Sequence, residues 1–165
     1  MKKMKPSTRG EIKVAVDTLV FSVSQGKLRV LLIQIASGPY DRKWAVPGGL
    51  VQVHESLDEA AERVLEQKAG VDGIYLEQLA TFGDPKRDNR ARSISTAYMA
   101  LVNIDAFKPQ TTEYYADIAW HPVEDLPAMA FDHKKMVLCG RARLINKLGY
   151  SNIAYALLPK EFTLT

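Results

Sequence analysis

GGLVQVHESLDEAAERVLEQKAGV, residues 48–71, is the stretch on which the reading of this chain turns. It opens on Gly48 and Gly49, paired glycines that let a backbone approach a phosphate closely or simply make a tight turn. Glu55 follows Gly49 after five residues, and Arg63 follows Glu55 after seven more. Between them Ser56 and Glu59 have the spacing of a capping box, and Gly70 suits the left-handed residue that ends a helix. At about 100° per residue, with Val64 set at zero, Gln67 lies near about −60° and Lys68 near about +40°. On the same scale Glu59, Glu62 and Glu66 fall between about 160° and about 220°. Those acids read as the solvated side of an amphipathic helix whose inner stripe is Leu57, Ala60, Ala61, Val64 and Leu65.

Outward from that helix, EIKVAVDTLVFSV and LRVLLIQIA are rich in Val, Leu and Ile and are separated by SQGK, so they read as a hairpin. IYLEQLATFG and SISTAYMALVNI read as a second pair of strands around the basic loop DPKRDNRARS, and DIAWHP as a shorter strand. FDHKKMVLCGRARLINKLG has Met136, Val137, Leu144, Ile145 and Leu148 at positions compatible with one buried face, with Gly149 as its stop. Strands mixed with a few helices predict an α/β sandwich with a mixed sheet between helices.

With 165 residues, 47% hydrophobic and 25% charged, the chain has the make-up of an ordinary globular protein with a single core. One cysteine, Cys139, cannot form an internal disulfide, and it reads as a small buried hydrophobe in a reducing compartment. No apolar run follows the basic start MKKMKPSTRG, and no segment reaches membrane-spanning length. The expected location is cytoplasmic. The net charge of +3 is concentrated in residues 1–9, in the loop of residues 84–93 and in residues 133–147. Residues 1–10 read as a flexible basic tail, residues 11–158 as the folded domain and residues 159–165 as the start of a linker. LLPKEFTLT has the make-up of a helix start with nothing after it, which fits either a chain cut before a following domain or a short tail strand.

The positions from Gly49 to Val71, preceded by WAVPGG, resemble the Nudix box, whose pattern is Gly, five residues, Glu, seven residues, then Arg-Glu-hydrophobic-any-Glu-Glu-any-Gly-hydrophobic. The resemblance implies a Nudix α/β/α sandwich over nearly the whole chain. In that family the glutamates of the two pairs hold Mg²⁺, which needs oxygen ligands and activates water against a diphosphate. Here Val64, Gln67 and Lys68 stand in those places, so three negative charges give way to one positive. Glu55 alone is a poor magnesium cage, and Arg63 serves only to brace the loop. No metal and no catalytic residue is expected.

KWAVPGGLV, ATFGDPKRDNRARSISTAYMALV, FDHKKM and YALLPKEFTLT further resemble the amino-terminal domain of the NrtR family, Nudix-related regulators of NAD metabolism. In that family a catalytically degenerate Nudix domain binds ADP-ribose, and a winged-helix domain after it binds operator DNA, usually as a homodimer. The resemblance implies an ADP-ribose sensor of a transcriptional repressor, with operator DNA bound only through a winged helix beyond this chain. Active ADP-ribose pyrophosphatases share the TFGDP-type loop and the FDH stretch. A hydrolase recruiting metal through Glu55, Glu66 or acids outside the helix therefore stays open, as does a pure oligomerisation module.

A diphosphate bound without metal must be neutralised by cations. Arg42, Lys68, Arg87, Arg90 and Arg92 are the candidates for that task, beside Lys43 and Lys86, with Gly48 and Gly49 giving the backbone approach. Phe82 and Trp44 are the favoured platforms for the adenine, ahead of Tyr40 and Tyr98. His133, in the FDH stretch, completes the expected ligand-binding set.

Overall fold

The computed structural model describes residues 10–148, apart from residues 71, 107 and 111–114. Most of the basic tail, Val71, the helix stop at Gly149, the domain boundary at residue 158 and the linker at residues 159–165 lie outside the described residues.

Strand β1 (Lys13–Ser24) is the axis of the molecule, buried from Val16 to Ser22. Val16 packs with Ala60, Ala61 and Val64 of helix α1 (Leu57–Ala69), and Val20 with its Leu65 and Ala69. Leu19 and Phe21 pack instead with Met136, Val137 and Leu144 of helix α2 (His133–Leu148). Successive strand side chains point to opposite faces, so the two helices lie on opposite sides of the sheet. This is the α/β/α layering expected from the sequence.

Strand β2 (Lys27–Ile35) returns from β1 through Gln25 and Gly26, both at positive φ (52° and 71°), as a two-residue hairpin demands. On the other flank β6 (Ser93–Leu101) runs parallel to β1, and β5 (Glu77–Phe82) runs antiparallel to β6. One parallel pair among antiparallel ones makes the sheet mixed. The short β3 (Trp44–Ala45) and β7 (Tyr115–Pro122) both pair with β2. A further short strand, β4 (Gly48–Leu50), pairs with β1.

The two partners of β1 on this flank do not coincide. It pairs with β2 from Phe21 to Ser24 but with β4 from Ala15 to Asp17. Between them Thr18 donates both its amide (2.7 Å) and its hydroxyl (2.9 Å) to the Pro47 carbonyl. The sheet thus forks below Thr18, and the fork opens a cleft.

Both helices have local reasons for their limits and faces. In α1 the Ser56 hydroxyl accepts from the Glu59 amide while the Glu59 carboxylate accepts from the Ser56 amide, and Gly70 ends the helix at φ 67°. Ala60, Ala61, Val64 and Leu65 are buried and Leu57 half-buried, whereas Glu59, Glu62 and Glu66 face solvent. In α2 the expected buried face needs one correction. Met136, Val137 and Leu144 are buried, but Ile145 is 51% exposed. Leu144 lies two turns after Val137 and continues its stripe, while Ile145, about 100° further round, leaves it. Cys139 is half-buried and leans on the same core. The stripe is completed by Gly140, where an added Cβ would stand 2.8 Å from the Phe21 ring.

Gly140→Val is therefore expected to overpack the contact between α2 and β1 and to lower stability by about 1–3 kcal/mol. Urea unfolding measures it, and unchanged stability would contradict the packing described.

Candidate functional site

The cleft at the fork has a volume of about 550 Å³, within the range of small-molecule sites. Its floor is the outer part of β1, where Asp17 lies almost fully buried. A buried carboxylate is costly unless it is partnered. Asp17 accepts from the Ser95 hydroxyl (2.5 Å) and lies 3.6 Å from the Arg87 guanidinium and 3.4 Å from His133 Nε2. Arg87 also donates to both carboxylate oxygens of Asp132 (2.9 and 3.2 Å) and to the Ser93 hydroxyl (2.9 Å). His133 Nδ1 accepts from the Val46 amide (3.1 Å), which places the imidazole proton on Nε2, toward Asp17. Burial holds the His133 pKa below its ordinary value against the opposing pull of Asp17, so the ring stays neutral.

These contacts also explain Gly48. A Cβ there would collide with the Asp17 carboxylate and meet the Val16 carbonyl at 3.0 Å. At Gly49 a Cβ would stand 3.0 Å from Val64 Cγ2 and 3.9 Å from Lys68 Nζ. The glycines allow β4 to lie flat between β1 and α1, with their backbone exposed to the cleft.

Val64, Gln67 and Lys68 end in three different places. Val64 is fully buried against Val16 and Tyr98. Gln67 is exposed and accepts from Arg63 Nη1 (3.1 Å). Lys68 turns into the cleft, donates to the Gly48 carbonyl and lies 5.3 Å from the centre of the Tyr115 ring. Desolvation lowers its pKa, partly opposed by the Asp17 charge. Glu55 is engaged elsewhere. Arg63 donates to both its oxygens (2.6 and 2.7 Å) and also to the Leu50 carbonyl, so this pair braces the loop before α1.

Of the expected ligand-binding residues, Gly48, Gly49, Lys68, Arg87, Arg90 and His133 line the cleft. Arg42, Trp44, Phe82 and Arg92 do not. Arg42 is exposed at φ 62°, and Arg92 donates to the Ser93 carbonyl. Trp44 meets His121 edge-on, and both Trp44 and Phe82 lean on the core beneath α2. Two of the loop cations already have acids: Arg87 has Asp132 and Asp17, and Arg90 has Asp88 at 3.0 Å. The cleft also holds Lys13, Asp17, Tyr115 and Phe131, which were not singled out from the sequence. Asp17 carried a signal, being a lone acid at an inward position of an apolar strand. Phe131 stands in the FDH stretch, from which only His133 was named, and Tyr115 carried no signal.

Residues 13–138 match the NUDIX domain model, and the chain belongs to the NUDIX family. Within it, the expected likeness to NrtR-type regulators is borne out. Over 156 residues the chain is 39% identical to the ADPR responsive transcriptional repressor NtrR of Acinetobacter baylyi, covering 92% of this chain and 62% of that protein. The chain therefore spans less than two thirds of that relative. Its structure resembles the NUDIX domain of Shewanella oneidensis NrtR complexed with ADP ribose, with 33% identity and a TM-score of 0.73 over 86% of this chain and 94% of that one. An ADP-ribose pyrophosphatase of Methanocaldococcus jannaschii is 26% identical over 75% of this chain and 70% of its own length. No helix among the described residues is long and apolar enough to cross a membrane.

The Arg63 bonds hold the Glu55 pKa down at about 2 from an ordinary 4.5. Folding therefore excludes the proton, and the stabilisation by this pair is complete above about pH 4.5 and lost as pH falls through about 2. Glu55→Gln is expected to lower the urea midpoint at pH 7, with the difference from wild type shrinking by about pH 3, where the unfolded chain binds the proton that the folded pair still excludes. A difference that is the same at both pH values would contradict the pairing.

Proposed function

We propose that this chain is the ADP-ribose-sensing domain of a transcriptional repressor of NAD metabolism, with a Nudix box that binds its effector without metal and does not hydrolyse it. The observation that carries the reading is Lys68. It occupies the place of a metal-binding glutamate and brings a cation, with no ion pair among the described residues, beside the open backbone of Gly48 and Gly49. A metal would polarise the diphosphate and activate water; a lysine neutralises charge but activates no water. Glu55, held by Arg63, is not free to serve a metal. The relatives support the ligand, since one is described as ADPR responsive and another was solved with ADP ribose.

On this reading the domain acts in the cytoplasm as half of a homodimer, because a regulator of a palindromic operator needs two symmetric copies. Operator DNA is then bound through a separate winged-helix domain, and ADP-ribose is the effector.

Calorimetry with ADP-ribose in EDTA tests the reading. Binding is expected without divalent metal, insensitive to added EDTA and weakened by salt, because ionic contacts to phosphate are screened. Incubation with millimolar Mg²⁺ or Mn²⁺ is expected to yield no AMP and ribose 5-phosphate at a useful rate. Absence of metal-free binding at millimolar ligand would overturn the sensor reading, and turnover within minutes would favour a hydrolase like the Methanocaldococcus relative.

A further inference from the structure

We infer that Asp132 is a built-in competitor for the diphosphate of the effector, one that sets the affinity of the cleft by holding Arg87 and changes partner when the anion binds. The inference rests on the ADP-ribose reading above and adds to it the residue that tunes the site. Arg87 lines the cleft, and Asp132 does not. Arg87 Nε and Nη2 donate to the two oxygens of Asp132 at 3.2 and 2.9 Å, the fork that a guanidinium offers to carboxylate and phosphate alike. A cation suited to a diphosphate thus already holds an internal anion in the same geometry.

The balance of charge points the same way. Asp17 and Asp132 share one guanidinium, and His133 beside them is neutral, so these buried groups carry one negative charge in excess. Cancelling Asp17 alone needs no second acid. The Asp132 side chain is only 9% exposed, so its charge is little screened by water and opposes an anion in the cleft.

Asp132 also stands where a helix takes its cap. Its carbonyl accepts from the amides of Lys135 (2.9 Å) and Met136 (3.3 Å), which makes it the N-cap of α2. At the same place in α1, the Ser56 side chain turns to the Glu59 amide. The Asp132 carboxylate turns to Arg87 instead, and among the described residues the Lys134 amide has no hydrogen-bond partner. The carboxylate therefore has two places to go, Arg87 or the first turn of α2. A diphosphate that draws Arg87 toward itself releases it to the Lys134 amide, where a negative charge also suits the helix dipole. Occupancy of the cleft is in this way felt at the start of α2.

Calorimetry with ADP-ribose in EDTA on wild type, Asp132→Asn and Asp132→Glu tests the inference. Asparagine keeps the size and the capping ability but removes the charge. Asp132→Asn is expected to bind ADP-ribose at least about threefold tighter, with a steeper loss of affinity in salt. Its urea midpoint is expected to fall, because Arg87 loses a buried partner. A purely structural role would lower affinity and stability together. Asp132→Glu, which returns the carboxylate, should bring the affinity back toward the wild-type value. Wild-type binding together with a smaller gain, or a loss, in Asp132→Asn would overturn the inference alone, as would equal tightening in Asp132→Glu. If Asp132→Asn does not fold, amide hydrogen exchange in wild type decides. ADP-ribose should slow exchange at Lys134 by about threefold or more, and unchanged or faster exchange would overturn the inference. A wild type that does not bind ADP-ribose would overturn both this inference and the reading beneath it.

Discussion

The buried carboxylate of Asp17 is the constraint on which the rest of the site depends. An isolated charge there would be untenable, and removing one partner of a buried pair costs about 3–5 kcal/mol. Its partners come from three segments: Ser95 from β6, Arg87 from the loop after β5, and His133 from the start of α2, and Gly48 of β4 is compelled to lack a side chain beside it. Satisfying one acid thus joins the loop, the second helix and the fork of the sheet. The same bonds leave Arg87 neutralised and His133 neutral, so the floor of the cleft is polar and carries little positive charge of its own.

Against that floor, charge is decided at the wall. The family's metal site is a cluster of acids on α1, and here the corresponding surface presents an apolar side chain to the core, an amide to solvent and an ammonium to the cleft. Val64 contributes to the packing of α1 on β1 as a glutamate in that buried position could not. Lys68 is desolvated, which makes its charge more effective toward an anion than that of an exposed lysine. The box has kept the helix, the caps and the Glu55–Arg63 brace, all of which position the glycines.

Much of this was legible in the sequence, and the division follows physics. Local rules decide what a short stretch can do alone, so the capping box, the Gly70 stop, the inner stripe of α1 and the SQGK hairpin could be read directly. The two short strands β3 and β4 could not, because two or three residues carry no periodicity. Charge was harder still. The loop of residues 84–93 is visibly basic, but whether an arginine is free depends on acids distant in sequence, and Asp132 lies 45 residues beyond Arg87. Aromatic residues posed the same difficulty. Phe82 borders the loop in sequence yet leans on the core, while Phe131 enters the cleft through a left-handed backbone that no local pattern announces.

The central claim is that the Lys68 ammonium stands in for the metal, and charge reversal at that position addresses it directly. In Lys68→Glu a carboxylate returns to a metal-ligand place, while Glu62→Gln, on the exposed face of α1, serves as the control. The measurement is the Kd for ADP-ribose of both variants, in EDTA and in millimolar Mg²⁺. Loss of a charge-assisted contact of about 1.5–3 kcal/mol corresponds to a weakening of about tenfold or more for Lys68→Glu in EDTA, partly restored by Mg²⁺, with Glu62→Gln unchanged. Metal-free affinity that survives Lys68→Glu intact would contradict the claim.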